Sequence, residues 1–289
     1  MDNQDKNQDI NHTPKPSSNI SEALSKEIKL SDVQDVIGKV RKRIHDTGFI
    51  NSFLLKLIAI IIMTIDHVGA CIGTTYVDGR TYLSGLMTPD TYTQLRTIGR
   101  VAFPIFCFMI VEGYFHTRDA KKYSLRLLVF AFISQVPFNL MLTKAPFTKG
   151  ASLNVYFTLF IGLVTIMCFE YCLKLYRSEE RKRPVYIAIG IAIILSTISL
   201  ADFLYTDYAG LGVIIILIFY FFRDKPLLIF AGLNISIYHL SNSLEMYALW
   251  CMVPILLYNH KKGPSMKYVF YIYYPLHMTV LYFIYMAML

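Results

Sequence analysis

The sequence predicts an all-α fold: a polytopic bundle of transmembrane helices with about nine spanning segments. Three observations carry that prediction. Of the 289 residues, 55% are hydrophobic and only 17% are charged, whereas ordinary soluble domains carry roughly 25% charged residues. Mean hydropathy is +0.45. From Phe53 onward, apolar runs follow one another to the end of the chain, separated by short charged clusters.

Residues 1–51 read as a cytoplasmic tail and 52–289 as the membrane domain. Met1 to Ile10 is hydrophilic, with no basic stretch leading into an apolar one, so no cleaved signal peptide is expected. Asn, Gln, Asp, Pro and Ser dominate up to about Asn19, a disordered composition. From Ile20, the apolar residues Leu24, Ile28, Val33, Val36, Ile37 and Val40 recur at near-helical spacing. With Lys39, Arg41, Lys42 and Arg43 at its end, this stretch suits either an amphipathic helix on anionic lipid or a loosely helical linker.

A spanning helix needs about 20 apolar residues. Runs that qualify cover 53–76, 99–117, 124–142, 153–175, 184–206, 208–222, 226–240, 243–258 and 268–289. The sixth to eighth are short, and the seventh and eighth could form a re-entrant hairpin instead. The longest exterior loop runs from Val77 to Thr97. In it, Thr88-Pro89-Asp90 reads as an N-cap followed by a first-turn proline, so a helix should start there and run into the second span.

Orientation follows from charge. The net charge of +8 is concentrated in alternate gaps. Arg118, Lys121, Lys122 and Arg126 fill one, Lys174 to Arg183 the next, then Arg223 with Lys225, and last Lys261, Lys262 and Lys267. Cations placed this way set topology and do not read nucleic acid. The positive-inside rule puts the N-terminus in the cytoplasm, and an odd number of crossings puts Leu289 outside. The expected location is the cell (inner) membrane, with lipid as the first partner.

The five cysteines, Cys71, Cys107, Cys168, Cys172 and Cys251, lie inside apolar runs with no C-x-x-C pair and no histidine at zinc spacing. They read as small buried hydrophobes, and no metal is expected.

Ionisable groups in hydrocarbon cost roughly 2.5–3.5 kcal/mol each on insertion scales and therefore face a bundle interior. Here Lys56, Asp66 and His67 lie in the first span, Arg100 and Glu112 in the second, Arg126 near the start of the third, Glu170 in the fourth and His277 in the ninth. Ser134, Gln135, Asn139, Asn154, Thr158 and Asn234 add uncharged polar groups. Ten residues separate Lys56 from His67, which puts both on one helical face, about 16 Å apart along the axis. His277 lies about 15 Å in from Lys267 by the same rise, at a depth similar to His67. Asp66 cannot face its neighbour His67 on a helix, so it should pair across helices, with Arg100 one available partner. Pro104, Pro137 and Pro275 free the carbonyls of Arg100, Ile133 and Tyr271, which marks packing kinks or a wet cavity.

Several of these residues sit in a longer pattern. Leu55-Lys56-Leu57-Ile58-Ala59 through Met63-Thr64-Ile65-Asp66-His67-Val68-Gly69 resembles the opening motif of the TraX family. Ile98-Gly99-Arg100-Val101-Ala102-Phe103-Pro104, Val111-Glu112-Gly113-Tyr114 and Ser134-Gln135-Val136-Pro137-Phe138 follow in the family's order. Asp207-Tyr208-Ala209-Gly210 and Tyr273-Tyr274-Pro275-Leu276-His277 complete it. The segment Asn259-His260-Lys261-Lys262-Gly263 departs from the usual Asn-Gly-Lys-Arg-Gly.

The family is named for a conjugation protein that N-acetylates the terminal residue of pilin, and it is grouped with membrane acyltransferases that use acetyl-CoA. These carry a basic residue, more often Arg than Lys, with ten residues between it and a histidine in the first span, as Lys56 and His67 do. The resemblance implies a donor site for acetyl-CoA at the inner mouth, with Lys56, Arg126 and Lys122 as phosphate partners. It implies His67 as general base, since a histidine near neutrality suits proton removal from an amine or hydroxyl. His277 would be partner, second base or oxyanion donor, and Arg100, Glu112 and Asp66 would organise the site. The acceptor (a protein N-terminus, a glycan or a small molecule) stays open. So do two other classes: a proton-coupled transporter, though no repeat symmetry is visible, and a non-catalytic assembly factor for a surface appendage.

Overall fold

The computed structural model describes residues 35, 36, 38, 39, 49–78, 80–241, 243–264 and 267–289. The chain divides into two units, Met1–Val40 and Arg41–Leu289, and the membrane bundle is the second. The helix expected from Ile20 lies outside the described residues, apart from Asp35, Val36, Gly38 and Lys39, which are helical.

The fold is an all-α membrane bundle, and its first helix is capped by its own sequence. Asn51 accepts a hydrogen bond from the Leu54 amide at 2.9 Å and starts α1, Ser52–Ile72. This cap also holds the far end of the domain. Ser52 N–H donates to the Lys261 carbonyl at 2.8 Å, and Asn259 N–H donates to Ile50 at 2.9 Å. Gly263, at φ +64°, passes so close that a Cβ there would lie 2.7 Å from Asn51 Oδ1, which explains a glycine at that turn.

α1 stops at Ile72, four residues before the expected end. Gly73 caps it, and the β-branched run Thr74–Val77 (β1) pairs antiparallel with Arg80–Leu83 (β2) in a short hairpin. As the Thr88-Pro89 signal predicts, α2 spans Pro89–Gly99, with Thr88 accepting from the Thr91 amide. The second span is therefore two helices, because α3 restarts at Ala102 and runs to His116. Pro104 lies in the first turn of α3, where a missing N–H costs nothing, and it cannot coexist with a helical carbonyl at Arg100. Asp119 caps α4, Ala120–Thr143, and carries it four residues beyond the expected start.

α5 (Val155–Ser178) and α6 (Arg183–Phe203) follow, then the shorter α7 (Ala209–Phe221) and α8 (Pro226–Leu240). Among the described residues, six helical stretches are long and apolar enough to cross a membrane, and three are shorter. α7 is buried nearly all round, from Val213 to Tyr220, the mark of a central helix. α6 is the opposite: Val185, Ile187, Ile189, Ile191 and Leu195 project outward, a face for acyl chains. The eighth apolar run is a 3-10 helix, Ser243–Cys251, that continues directly as α9, Met252–Leu256. The steeper 3-10 rise stretches these 14 residues to about 25 Å. α10, Lys267–Met288, closes the bundle.

The helix ends sort into two groups. The start of α1 meets the exit of α9, and Glu112 at the end of α3 pairs with Arg223 beyond α7 and His260 beyond α9. At the other end, Lys144 after α4 donates to the Cys71 carbonyl of α1 at 2.7 Å, and Leu153 before α5 bridges to Thr206 between α6 and α7. The basic gaps around Arg118, Arg223 and Lys262 thus gather at one end. Four cysteines are buried as expected. Cys168 departs from that reading: it is exposed on the outer side of α5, where a thiol is apolar enough for hydrocarbon.

α1 and α2 touch most closely at Gly99, where a Cβ would lie 2.2 Å from the Cβ of Asp66. Gly99→Ala should therefore destabilise the bundle by about 1–3 kcal/mol, read as a lower thermal midpoint in detergent. An unchanged midpoint would show that the two helices have slack to separate.

Candidate functional site

α1 lies along α10, and the contact runs through the polar residues of both. Lys56 stands over the Phe270 ring at 5.7 Å. Two turns on, the Tyr273 hydroxyl meets Thr64 Oγ1 at 2.8 Å. One turn further, His67 Nδ1 and His277 Nε2 are 2.6 Å apart, their rings nearly parallel at 7°. Lys56 and His67 therefore do share a stripe, and the two histidines do meet.

The partners fix the protons. His277 Nδ1 lies 2.9 Å from the Tyr273 carbonyl, which can only accept, so that nitrogen carries the hydrogen. Neutral His277 then presents a lone pair at Nε2, and His67 Nδ1–H donates to it. What remains is the lone pair of His67 Nε2, which has no hydrogen-bond partner among the described residues. The geometry delivers a base. Thr64 Oγ1 donates to the Ile60 carbonyl at 2.8 Å, so the Tyr273 hydroxyl must spend its proton on Thr64.

Beside this pair sits an ionic lock. Arg100, buried, donates to Asp66 Oδ1 at 2.8 Å and to Glu245 Oε1 at 2.7 Å, while Arg96 pairs with the second oxygen of Asp66. One guanidinium thereby ties α1, the α2–α3 break and the 3-10 helix together. Asp66 faces away from His67 along its own helix and toward Arg100, as expected.

A cavity of about 550 Å³ runs inward from the basic end. Its mouth carries Lys56, His116, Arg118, Arg126, His260 and Lys262. The Glu112 carboxylate in its wall is already matched, by Arg223 Nε at 2.7 Å and His260 Nδ1 at 3.2 Å. Aromatic rings line the throat, among them Phe106, Tyr123, Tyr156, Phe270 and Tyr271. Met63 and Tyr274 lie at its inner end, and Tyr274 also abuts both histidine rings, with centroids 6.0 and 5.8 Å away. A second cavity, about 420 Å³, opens at the opposite end among Arg100, Asp202, Asp207, Tyr208 and Glu245. In the loop before α7, burial pushes the Asp207 carboxyl up to about 6 against the pull of Arg100.

With this geometry in view, comparison with known proteins becomes informative. The sequence matches the family model described as TraX protein over residues 52–285. The chain belongs to the TraX family. It is 29% identical over 256 residues to a Dichelobacter nodosus protein named probable fimbrial assembly protein FimC, serogroup H1, which covers 80% of this chain and 94% of that one. An uncharacterized Rickettsia prowazekii (strain Madrid E) protein, RP591, is 27% identical over 117 residues, 40% of this chain and 37% of its own. No solved structure matches.

Within this TraX chain the expected site residues fall into three places. His67 and His277 form the pair. Asp66 and Arg100 form the lock beside it. Lys56, Arg126 and Glu112 line the basic cavity. Lys122 is the correction: it is 78% exposed, pairs with Asp119 at 3.5 Å and takes no part in the cavity wall. Its helix begins at Ala120, which turns Lys122 outward in the first turn. Sequence reasoning missed Glu245, Arg96, Arg223 and His260, which complete the two ionic clusters. It also missed Tyr274, because tyrosine reads as apolar filling in such a segment. Glu245 could have been found as the lone acid within the 243–258 run.

Removing Arg100 takes a shared cation from Glu245 and from Asp66, which keeps Arg96, and breaking a buried ion pair typically costs about 3–5 kcal/mol. Arg100→Ala should therefore lower the detergent midpoint sharply, and Arg100→Met combined with Glu245→Gln should recover part of the loss. Equal midpoints for the single and double variants would show that Glu245 is not held by Arg100.

Proposed function

We propose that this TraX-family chain is a membrane acetyltransferase that moves the acetyl group of acetyl-CoA to an amine or hydroxyl acceptor. One observation carries the reading: a cavity with a cationic mouth and an aromatic throat reaches Tyr274, whose ring packs against His67, a histidine whose Nε2 lone pair is unclaimed. A donor with several phosphates at one end and a slender reactive tail at the other matches that order of surfaces. Lys56, Arg126, Arg118 and Lys262 attract the phosphates. The pantetheine arm lies along the rings. The thioester arrives at the inner end, near Tyr274.

In the reaction, an acceptor N–H or O–H gives its proton to His67 Nε2 as the heteroatom attacks the thioester carbonyl carbon. The C–S bond breaks, and the thiolate takes the proton back from His67 to leave as CoA-SH. His277 holds His67 in the tautomer that leaves Nε2 free. We assign the basic end to the cytoplasm, where acetyl-CoA is made, by the positive-inside rule. That puts the N-terminus inside and Leu289 outside in a cell (inner) membrane. The second cavity, whose Asp207 lies within electrostatic range of Tyr274, supplies the acceptor's approach from the other end.

The acceptor class is narrowed by the Dichelobacter relative's name, which points to the assembly of a fimbrial appendage and so to a pilus-related substrate. The same name favours a second reading, in which the chain assists such assembly without chemistry.

Membrane vesicles carrying the protein, supplied with acetyl-CoA labelled in the acetyl group, decide between the two. The wild type should pass label to a protein, glycan or small-molecule acceptor, and His67→Ala should lose about 10²-fold or more. Lys56→Ala and Arg126→Ala should raise KM for acetyl-CoA more than they lower kcat. Absence of transfer by the wild type, with appendage assembly still dependent on the chain, would favour the second reading.

A further inference from the structure

Tyr274 is the residue that joins the cavity to the histidine pair, and its hydroxyl is idle. The side chain is 4% exposed, yet its oxygen has no hydrogen-bond partner that meets geometric criteria among the described residues. Leaving a buried hydroxyl unmatched typically costs about 1–3 kcal/mol, so such a group calls for an explanation. The Val155 amide, first in α5, lies beside it without closing a well-aligned bond. That amide can only donate, so the phenolic proton has no acceptor.

The ring cannot swing away. It stands edge-on to Tyr156 at 4.7 Å between centroids and abuts His67 and His277. Other polar hydrogens nearby are spent. His277 Nδ1–H serves the Tyr273 carbonyl, His67 Nδ1–H serves His277, the Tyr273 hydroxyl serves Thr64, and Thr64 serves Ile60. His277 therefore has no hydrogen left for an oxyanion. At the inner end of the cavity, the Tyr274 hydroxyl is a buried donor left unused among the described residues.

We propose that Tyr274 is a further catalytic residue, whose hydroxyl donates a hydrogen bond to the acyl carbonyl oxygen of the donor. This rests on the acetyl-transfer reading. As the acceptor's N–H or O–H passes its proton to His67 and the heteroatom bonds to the carbonyl carbon, the π pair moves onto oxygen. Tyr274 O–H stabilises that oxyanion and keeps its own proton. The pair then returns, the C–S bond breaks, protonated His67 gives its proton to the leaving sulfur, and CoA-SH departs. The thioester carbonyl supplies the missing acceptor for the phenolic proton, and the adjacent Val155 amide adds a dipole of the same sign.

The test is infrared spectroscopy of acetyl-CoA labelled with 13C at the acetyl carbonyl, bound to the purified protein in nanodiscs. Bound to the wild type, the thioester band should lie at lower wavenumber than when bound to Tyr274→Phe, with affinities equal within about 10-fold, the most that one neutral hydrogen bond usually adds to net binding. In the vesicle assay, Tyr274→Phe should lose about 10²–10³-fold in kcat, the usual cost of one oxyanion donor. Incorporating 3-fluorotyrosine at 274 keeps the ring and sharpens the donor, so the band should fall at least as far as in the wild type. A band unchanged by Tyr274→Phe, or a loss confined to KM, overturns the Tyr274 assignment and leaves the acetyltransferase reading standing. Failure of the wild type to bind acetyl-CoA removes both.

Discussion

Arg100 is the constraint on which the rest of the structure depends. An unpaired guanidinium inside a bundle is expensive, so its two carboxylates, Asp66 and Glu245, must come to it. Asp66 brings the middle of α1 and Glu245 brings the 3-10 helix. The break at Arg100 and Val101 frees the α2–α3 junction to receive both. Because Asp66 precedes His67, fixing the carboxylate also fixes the rotation of α1 about its axis. His67 then has one direction left, toward α10. The ionic lock is therefore structural in kind but decides where the imidazole points.

The same logic acts at the basic end with a different result. Glu112 is buried and answered by Arg223 and His260, which neutralises the acid in the cavity wall. The remaining cations at the mouth then meet no opposing charge from it. Lys56, Arg118, Arg126 and Lys262 give a positive field at one end of the cavity, while Asp202, Asp207 and Glu245 give a more acidic lining at the other. A bundle polarised in this way favours an anionic ligand on one side and a cationic or neutral one on the other, whatever chemistry connects them.

The architecture was legible because the membrane makes patterning severe. Nine apolar runs became nine apolar elements, and the Thr88-Pro89 start, the Lys56–His67 stripe and the Asp66–Arg100 pair all followed from helical spacing and the cost of buried charge. What escaped has physical reasons. Hydropathy cannot tell a 3-10 stretch from an α-helix, so the eighth run reads only as a short span or half of a re-entrant hairpin, with no sign of its 3-10 winding. It does not register a β-branched hairpin at a helix exit, so β1 and β2 were missed. Lys122 counted as a cavity cation because sequence shows that a cation lies near an interface but not which way the first turn of a helix faces. Tyr274 was overlooked because a phenol contributes to hydropathy as a ring, although its significance lies in one unmatched hydrogen.

α1 acts as a ruler between the two halves of the site. Lys56 stands at the mouth, Met63 near the inner end, and His67 one turn beyond, a separation of about 16 Å set by helix rise alone. α10 holds the same register through Phe270, Tyr273 and His277. In the acetyl transfer we propose, a donor anchored by its anionic head at Lys56 would meet the histidine pair at a depth neither helix can adjust without breaking the contacts of the other. Pro275 sits within that segment of α10 and opens its backbone between Phe270 and His277, where the helix must place Tyr274 in the cavity and His277 behind it. Depth is fixed by α1, and the order of groups at that depth is fixed by α10.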